Sequence, residues 1–286
     1  MPDLAFDAIG TRWTITTREP IDEGLRAEVA AVIERYDRTW SRFRADSAVL
    51  ELAATLGPVD LGPEAADLLP LLLDLSARTD GALNPLVGGS LEHLGYDRAT
   101  SLDDRPGFAP APSADVLELD GTVARLRAPA VLDVGAAGKG QLVDLVLDVL
   151  ERAGAVPAVV DAGGDLRAAG GPVRVGLEHP FDPSAAIGVV TVDEGAIAGS
   201  GVNRRAWPGQ DGRRLHHVLD ARTGRPVETL AATWALAPTA LLADALATAL
   251  FLVEPAALDG YAFDYVRMRT DGVADFSPDL PGELFG

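Results

Sequence analysis

Asp244 and Thr248 stand four residues apart in an otherwise apolar stretch, Pro238–Val253, whose one formal charge is Asp244. On a helix, that spacing puts both oxygens on one face. Leu241 and Phe251 flank them, and Leu242, Leu246, Leu250 and Val253 make the opposite side apolar too. A helix apolar all round is buried, and a buried carboxylate must be paired, protonated or metal-bound. Two readings stand side by side: a hydrogen-bonded structural acid, or a ligand pair for a hard cation. Mg²⁺ suits the second, because it takes few protein oxygens and fills its octahedron with waters and phosphates.

Two further stretches carry chemistry. His216–Gly224 (HHVLDARTG) holds two of the four histidines, and imidazole moves protons near neutral pH. In LDVGAAGKGQLVD, Gly135, Gly138 and Gly140 surround Lys139 at the head of a predicted helix. Free N–H groups and an ammonium there make an anion site of the kind phosphates use, or simply a structural turn. The glycine spacing matches neither the dinucleotide fingerprint nor the P-loop, since no Ser or Thr follows Lys139.

Composition bounds the rest. The chain has 286 residues, a formal net charge of −19 and no cysteine. The length allows a sizeable core. The charge disfavours nucleic acid, which needs clustered Lys and Arg, and it means an anionic ligand needs local help from Lys, backbone N–H groups or a metal. Without cysteine there is no disulfide, thiol nucleophile or lipid-modified Cys. The opening MPDLAFDAIG has no signal-peptide core. A cytoplasmic protein without membrane insertion is the expectation. Leu230–Val253 is nearly long enough to span a bilayer, but Pro238 and a central Asp argue for a strand, Leu230–Ala237, followed by a buried helix.

The elements that must position these residues follow from periodicity. Ile9–Thr17 alternates as a strand, and Leu25, Val29, Val32, Ile33 and Tyr36 mark a helix over Ile21–Thr39. Ser-Arg-Phe-Arg is a loop holding Phe43, with Asp46 or Ser47 capping the next helix; core packing is the ordinary role for Phe43. Gly62–Thr79 is a helix, and Gly81–Tyr96 is apolar without a clean period. Residues 97–113 read as a flexible connection, though not a domain boundary. Asp120-Gly121 turns a hairpin, and Val131–Gly154 reads as strand, turn and helix. AVVDAGGD (158–165) is a strand ending in a Gly163-Gly164-Asp165 turn. Val173–Pro180 and Ile187–Val192 read as strands, Ala196–Gly201 as a strand entering a tight turn, Val202–Leu215 as a polar loop, and Tyr261–Arg269 as a closing strand.

Taken in order, IGTRWTI, WSRFRADS, GALNPLVGG…LGY, LDVGAAGKGQLVD, DAGGD, VGLEHP, IAGSG, HHVLDARTGRPV and ADALATAL resemble the FAD:protein FMN transferase (ApbE) family over nearly the whole chain. The final pair, His-x-x-Asp-x-x-Thr-Gly and Ala-Asp-Ala-x-Ala-Thr, is the most specific. The resemblance implies an α+β fold, one domain over 1–286, with mixed sheets, a T-fold-like architecture and a central FAD cleft with Mg²⁺ on the diphosphate. It implies cleavage of FAD, passage of FMN to a Thr hydroxyl of a target flavoprotein and release of AMP; some members hydrolyse FAD instead. By position, Asp244, Thr248 and the Gly138 carbonyl would hold Mg²⁺, and His217 would be the base. Asp220 would orient His217 or hold the turn with Thr223, and His216 would be a solvated neighbour. Lys139 and the Gly135–Gly140 amides would hold phosphates, Gly163, Gly164 and Asp165 would lie against the nucleotide, and Phe43 would stack on the isoalloxazine. The chain departs from the family at Asn84-Pro85-Leu86, where Asp-x-Thr is usual, and at Ala53, where Asn is usual.

Overall fold

The computed structural model describes residues 3–203 and 205–285. Met1 and Pro2 of the opening stretch, Arg204 of the predicted 202–215 loop, and Gly286 lie outside it. The chain opens with a hairpin of β1 (Asp3–Ala8) and β2 (Thr11–Thr17). Next come α1 (Glu23–Trp40), α2 (Ala48–Thr55), β3 (Val59–Asp60), α3 (Ala65–Arg78) and α4 (Gly88–His93). Asp22 starts α1 by accepting from the Leu25 N–H, and the helix buries Val29, Tyr36 and Trp40. The hairpin β4 (Leu117–Asp120)/β5 (Val123–Leu126) turns at Gly121, as the Asp-Gly pair predicts. Helix α5 (Gly138–Arg152) leads into β6 (Ala158–Asp161), β7 (Asp165–Ala169), β8 (Val173–His179), β9 (Asp182–Val192) and β10 (Ala196–Gly201). Four short strands follow: β11 (Ala206–Pro208), β12 (Arg214–His216), β13 (Leu219–Asp220) and β14 (Arg225–Pro226). The chain ends with β15 (Leu230–Ala237), α6 (Ala240–Ala249), β16 (Asp264–Arg269), β17 (Ala274–Phe276) and β18 (Gly282–Leu284).

An eight-stranded sheet, ordered β1-β2-β6-β7-β10-β15-β16-β17, is the spine. Every pairing in it is antiparallel. Parallel pairing, which mixed sheets would supply, is confined among the described residues to isolated bridges at Val87–Val131 and Asp259–Tyr261. Period-two alternation splits the spine between two cores. On one face, Ala196 and Ala198 of β10 and Ala235 and Ala237 of β15 pack with α5 and α6. On the other, Ile197, Trp234 and Leu236 meet Leu177 and Val190 of the three-stranded sheet β18-β9-β8. Strand β15, buried at every position, therefore reads as a continuous apolar run.

Several local expectations shift. Val131–Val134 forms no strand beyond the single bridge at Val131, because the chain turns at once into α5. Ala196–Gly201 is strand throughout, with Gly201 still paired to Ala232. The predicted 202–215 loop contains the β11/β12 hairpin, and β17 and β18 follow the strand expected to close the chain. Residues 97–113 carry little regular structure but are strapped down. Arg105 N donates to His93 O, Ala111 N to Ala221 O, and Arg213 Nη2 to Asp104.

Candidate active site

The site starts where the N-termini of α5 and α6 meet. The first N–H groups of a helix have no intrahelical acceptor, and here each helix supplies the acceptor for the other. Asp244 Oδ2 of α6 accepts from Gly140 N of α5 at 3.0 Å. Asp144 of α5 accepts from Ala240 N and Leu241 N of α6, both at 2.9 Å. Gly140 has to be glycine: a Cβ there would lie 2.0 Å from Ala240 O and 2.8 Å from Asp244 Cβ.

Beside this contact Lys139 Nζ pairs with Asp165 Oδ2 and lies 3.7 Å from Asp244 Oδ1. Asp165 and Asp244 are each 1% exposed. Two carboxylates thus share one ammonium, and Asp165 Oδ1 is buried without a partner. Burial and the charge of Asp244 push Asp165 above the usual carboxylate range, against the pull of Lys139. Burial opposes the charge on Lys139, but Asp165 and Asp244 outweigh it and raise its pKa. One helical turn beyond Asp244, Thr248 Oγ1 lies 3.5 Å from Ser200 Oγ of β10. Among the described residues no three His, Cys, Asp or Glu side chains gather into a ligand set. The oxygens present, one carboxylate with hydroxyls beside a second buried acid, fit a hard ion with few protein ligands rather than a closed structural metal.

A cleft of ≈ 300 Å³ opens between the spine and β8. Asp161, Gly163, Gly164 and Ser200 line it on one side, Gly176 and Glu178 on another, over Ile197 and Trp234. The β6–β7 turn is shaped by Asp161, whose Oδ1 accepts from Gly163 N at 2.8 Å and Gly164 N at 3.0 Å. Gly163 has φ +73°, and a Cβ would stand 2.4 Å from Thr11 Oγ1. Ser200 joins this cleft to Thr248 of α6.

His217 belongs to the loop side. It is half-buried, and its Nδ1 lies 3.4 Å from Arg205 O. That contact puts the proton on Nδ1 and leaves Nε2 as the acceptor. Burial, then the Arg205 charge, pulls its pKa down to about 4, so the ring is neutral at pH 7; the charge of Lys139 contributes too. Arg205 reaches the Tyr96 hydroxyl. Tyr96 sets its ring 5.3 Å edge-on to Phe43 and 5.7 Å from Trp207. Arg42, 2% exposed, lies 4.2 Å over Phe43, donates to Tyr96 O at 2.7 Å and pairs with Asp133 at 2.5 Å. Asp133 in turn caps Gly135 N at 2.8 Å. One chain of contacts thus runs from His217 through the aromatic cluster to the glycine turn.

The structure gathers Gly138, Lys139, Gly140, Asp165 and Asp244, sets Thr248 beside Ser200, and puts Gly163 and Gly164 in the cleft wall. Of the expected site residues only Gly163 and Gly164 line that cleft; Phe43, Gly138, Lys139, Gly140, Asp165, His217, Asp220, Thr223, Asp244 and Thr248 are outside its lining. Asp220 holds the turn: its carboxylate takes Arg222 Nη2 at 2.7 Å and its carbonyl accepts from Thr223 Oγ1 at 3.2 Å. Thr223 is exposed. His216 is not solvated; it is 5% exposed, with Nε2 on Val227 O at 2.9 Å, because it ends a paired strand. The glycine turn is also less open to phosphate than its sequence suggests. Gly135 N and Gly140 N donate to Asp133 and Asp244, and Ala137 N and Gly138 N to Val134 O. Asp161, Asp144, Ser200, Arg205 and Tyr96 went unassigned in sequence. Only Asp161 carried a signal, as the Asp of an Asp-x-Gly turn.

Fold and site together define an α+β protein with a polar cleft that adjoins a buried acid pair and a neutral histidine. A family model described as the ApbE family matches residues 9–267. The FAD:protein FMN transferase of Rhodobacter capsulatus is 33% identical over 270 residues, which is 87% of this chain and 51% of that protein. The chain therefore spans about half the length of that relative. One from Klebsiella pneumoniae (strain 342) is 31% identical, covering 72% of this chain and 68% of its own length. The Pseudomonas stutzeri flavinyl transferase ApbE, apo form, superposes with a TM-score of 0.81 at 26% identity, covering 97% of this chain and 94% of that one. The chain belongs to the ApbE family. No described helix is long and apolar enough to cross a membrane.

Proposed function

We propose that the chain transfers FMN from FAD to a Thr hydroxyl of an acceptor flavoprotein, releasing AMP, with Mg²⁺ at Asp244, Thr248 and the Gly138 carbonyl. The observation that carries this reading is the pair of buried carboxylates, Asp165 and Asp244, on the single ammonium of Lys139, with an unpartnered Asp165 oxygen, next to two hydroxyls. Bound Mg²⁺ would neutralise charge developing on the diphosphate oxygens. Lys139 adds a second positive charge near the same oxygens. His217 Nε2 takes the proton from the acceptor hydroxyl as its oxygen forms the bond to the FMN phosphorus. The bond from that phosphorus to the bridging oxygen breaks, and AMP departs. Gly163, Gly164 and Asp165 border the nucleotide, Phe43 with Tyr96 offers aromatic surface to the flavin ring, and Asp220 with Thr223 keeps the His217 loop in shape.

The test is incubation with FAD and Mg²⁺, with and without a protein carrying an acceptor Thr. AMP release with an FMN-sized mass gain on the acceptor is the expected result. AMP with free FMN and no adduct would replace this reading with FAD hydrolysis through the same residues. Bound FAD that survives Mg²⁺ would make the chain a flavin carrier.

A further inference from the structure

The helix contact that carries Asp244 has two rungs. Gly140 meets Asp244 on one, and Asp144 meets Ala240 and Leu241 on the other. Stepping back four residues on α5 while stepping forward four on α6 links the rungs, so the helices run antiparallel with one turn per rung. The same step again carries Thr248 opposite position 136, in the glycine turn ahead of α5. The third rung is thus where a helix is missing, since α5 starts only at Gly138, and where Thr248 lies 3.5 Å from the Ser200 hydroxyl. The register that opens this gap is set on the second rung by Asp144. Among the described residues its two backbone contacts are the ones there that reach across through a side chain, and Arg167 Nη1 steadies the carboxylate at 2.9 Å.

We propose that Asp144 is a positioning residue of the cation site. By gripping the N-terminus of α6 from α5, it fixes the distance of Asp244 and Thr248 from the glycine turn without itself touching ligand. This rests on reading Asp244 and Thr248 as cation ligands. Thr239 supplies the control, because its Oγ1 caps α6 from within by accepting from Leu242 N at 3.2 Å and makes no bond to α5. Losing either cap weakens α6, but of the two caps it is Asp144 that ties α6 to α5.

The experiment compares wild type, Asp144→Asn and Thr239→Ala in the full chain. It measures the Mg²⁺ concentration that gives half-maximal AMP release and the rise in Tm on adding Mg²⁺ alone. Asn offers one acceptor where the carboxylate offers two, and turns donors toward backbone N–H groups. Asp144→Asn should raise the half-saturating Mg²⁺ at least about tenfold, the effect typical of a lost group that orients a metal ligand. It should also shrink the Mg²⁺-induced rise in Tm. Thr239→Ala should lower Tm while moving the Mg²⁺ requirement less than about twofold. Equal Mg²⁺ shifts in the two variants would overturn the proposal, reducing Asp144 to a helix cap. If Asp144→Asn does not fold, Arg167→Gln, which keeps the carboxylate, should raise the Mg²⁺ requirement by roughly threefold, and no shift would overturn the proposal. A wild-type protein whose Tm and AMP release both ignore Mg²⁺ would overturn the cation reading itself, which is a separate failure.

Discussion

The two sides of the site are built differently. On the helical side, Lys139, Asp165 and Asp244 sit on α5, β7 and α6, the two acids buried and Lys139 half-buried between them, and Asp244 bonds to the backbone of α5. On the loop side, Arg205 and His217 flank the β11/β12 hairpin, Phe43 lies between α1 and α2, and Tyr96 follows α4; they hold one another through rings and guanidinium groups. In the proposed transfer, charge held against a diphosphate gains from a dry, rigid setting, where it acts at low dielectric. Groups that meet a second protein gain from loops that can adjust.

That contrast can be broken by mutation. Asp244→Ala should have the largest effect, lowering Mg²⁺-dependent AMP release by more than about a hundredfold while circular dichroism stays native; an unchanged rate would remove Asp244 from the chemistry. His217→Ala should lower FMN transfer by roughly a hundredfold or more and leave FAD affinity within a few-fold. Equal losses in both would make His217 structural and erase the distinction between the two sides. Gly140→Ala should cost about 1–3 kcal/mol by overpacking, read as a lower urea midpoint with unchanged slope. Phe43→Leu, which keeps its bulk but loses the ring, should change stability little while weakening FAD binding. The smallest effect concerns pH. Because burial holds His217 near 4, the unfolded chain binds a proton that the folded chain refuses between about pH 6.5 and 4. Stability should rise with pH across that window, and His217→Gln should flatten this part of the profile; an identical profile would place the shift elsewhere.

The helical side was legible in sequence because its residues lie in periodic elements. Asp244 stood out as the one charge in an apolar run, and Lys139 as the one cation among glycines at a helix start. What sequence could not give was their pairing, since Lys139, Asp165 and Asp244 come from separate segments and only tertiary packing decides which charge meets which. The loop side was read by resemblance more than by pattern. His216 and His217 are adjacent and chemically identical, yet strand alternation buries one against Val227 O and turns the other toward Arg205. Val131–Val134 misled for a related reason: its apolar residues sit under the turn into α5, where short apolar runs do not distinguish strand from buried loop.

The strap of residues 97–113 and its neighbours also bears on when the site comes into being. Tyr96 and Asp104 meet Arg205 and Arg213, each across 109 positions of chain. Leu94 meets Trp207 across 113, and Gly140 meets Asp244 across 104. Each contact closes a loop of a hundred residues or more, and that closure entropy must be met before the contact returns anything. The α1, α3 and β4–β5 elements can form from local contacts, whereas the site waits for both halves of the chain. In a refolding experiment, activity should therefore return with the slowest phase, after most helical signal has recovered.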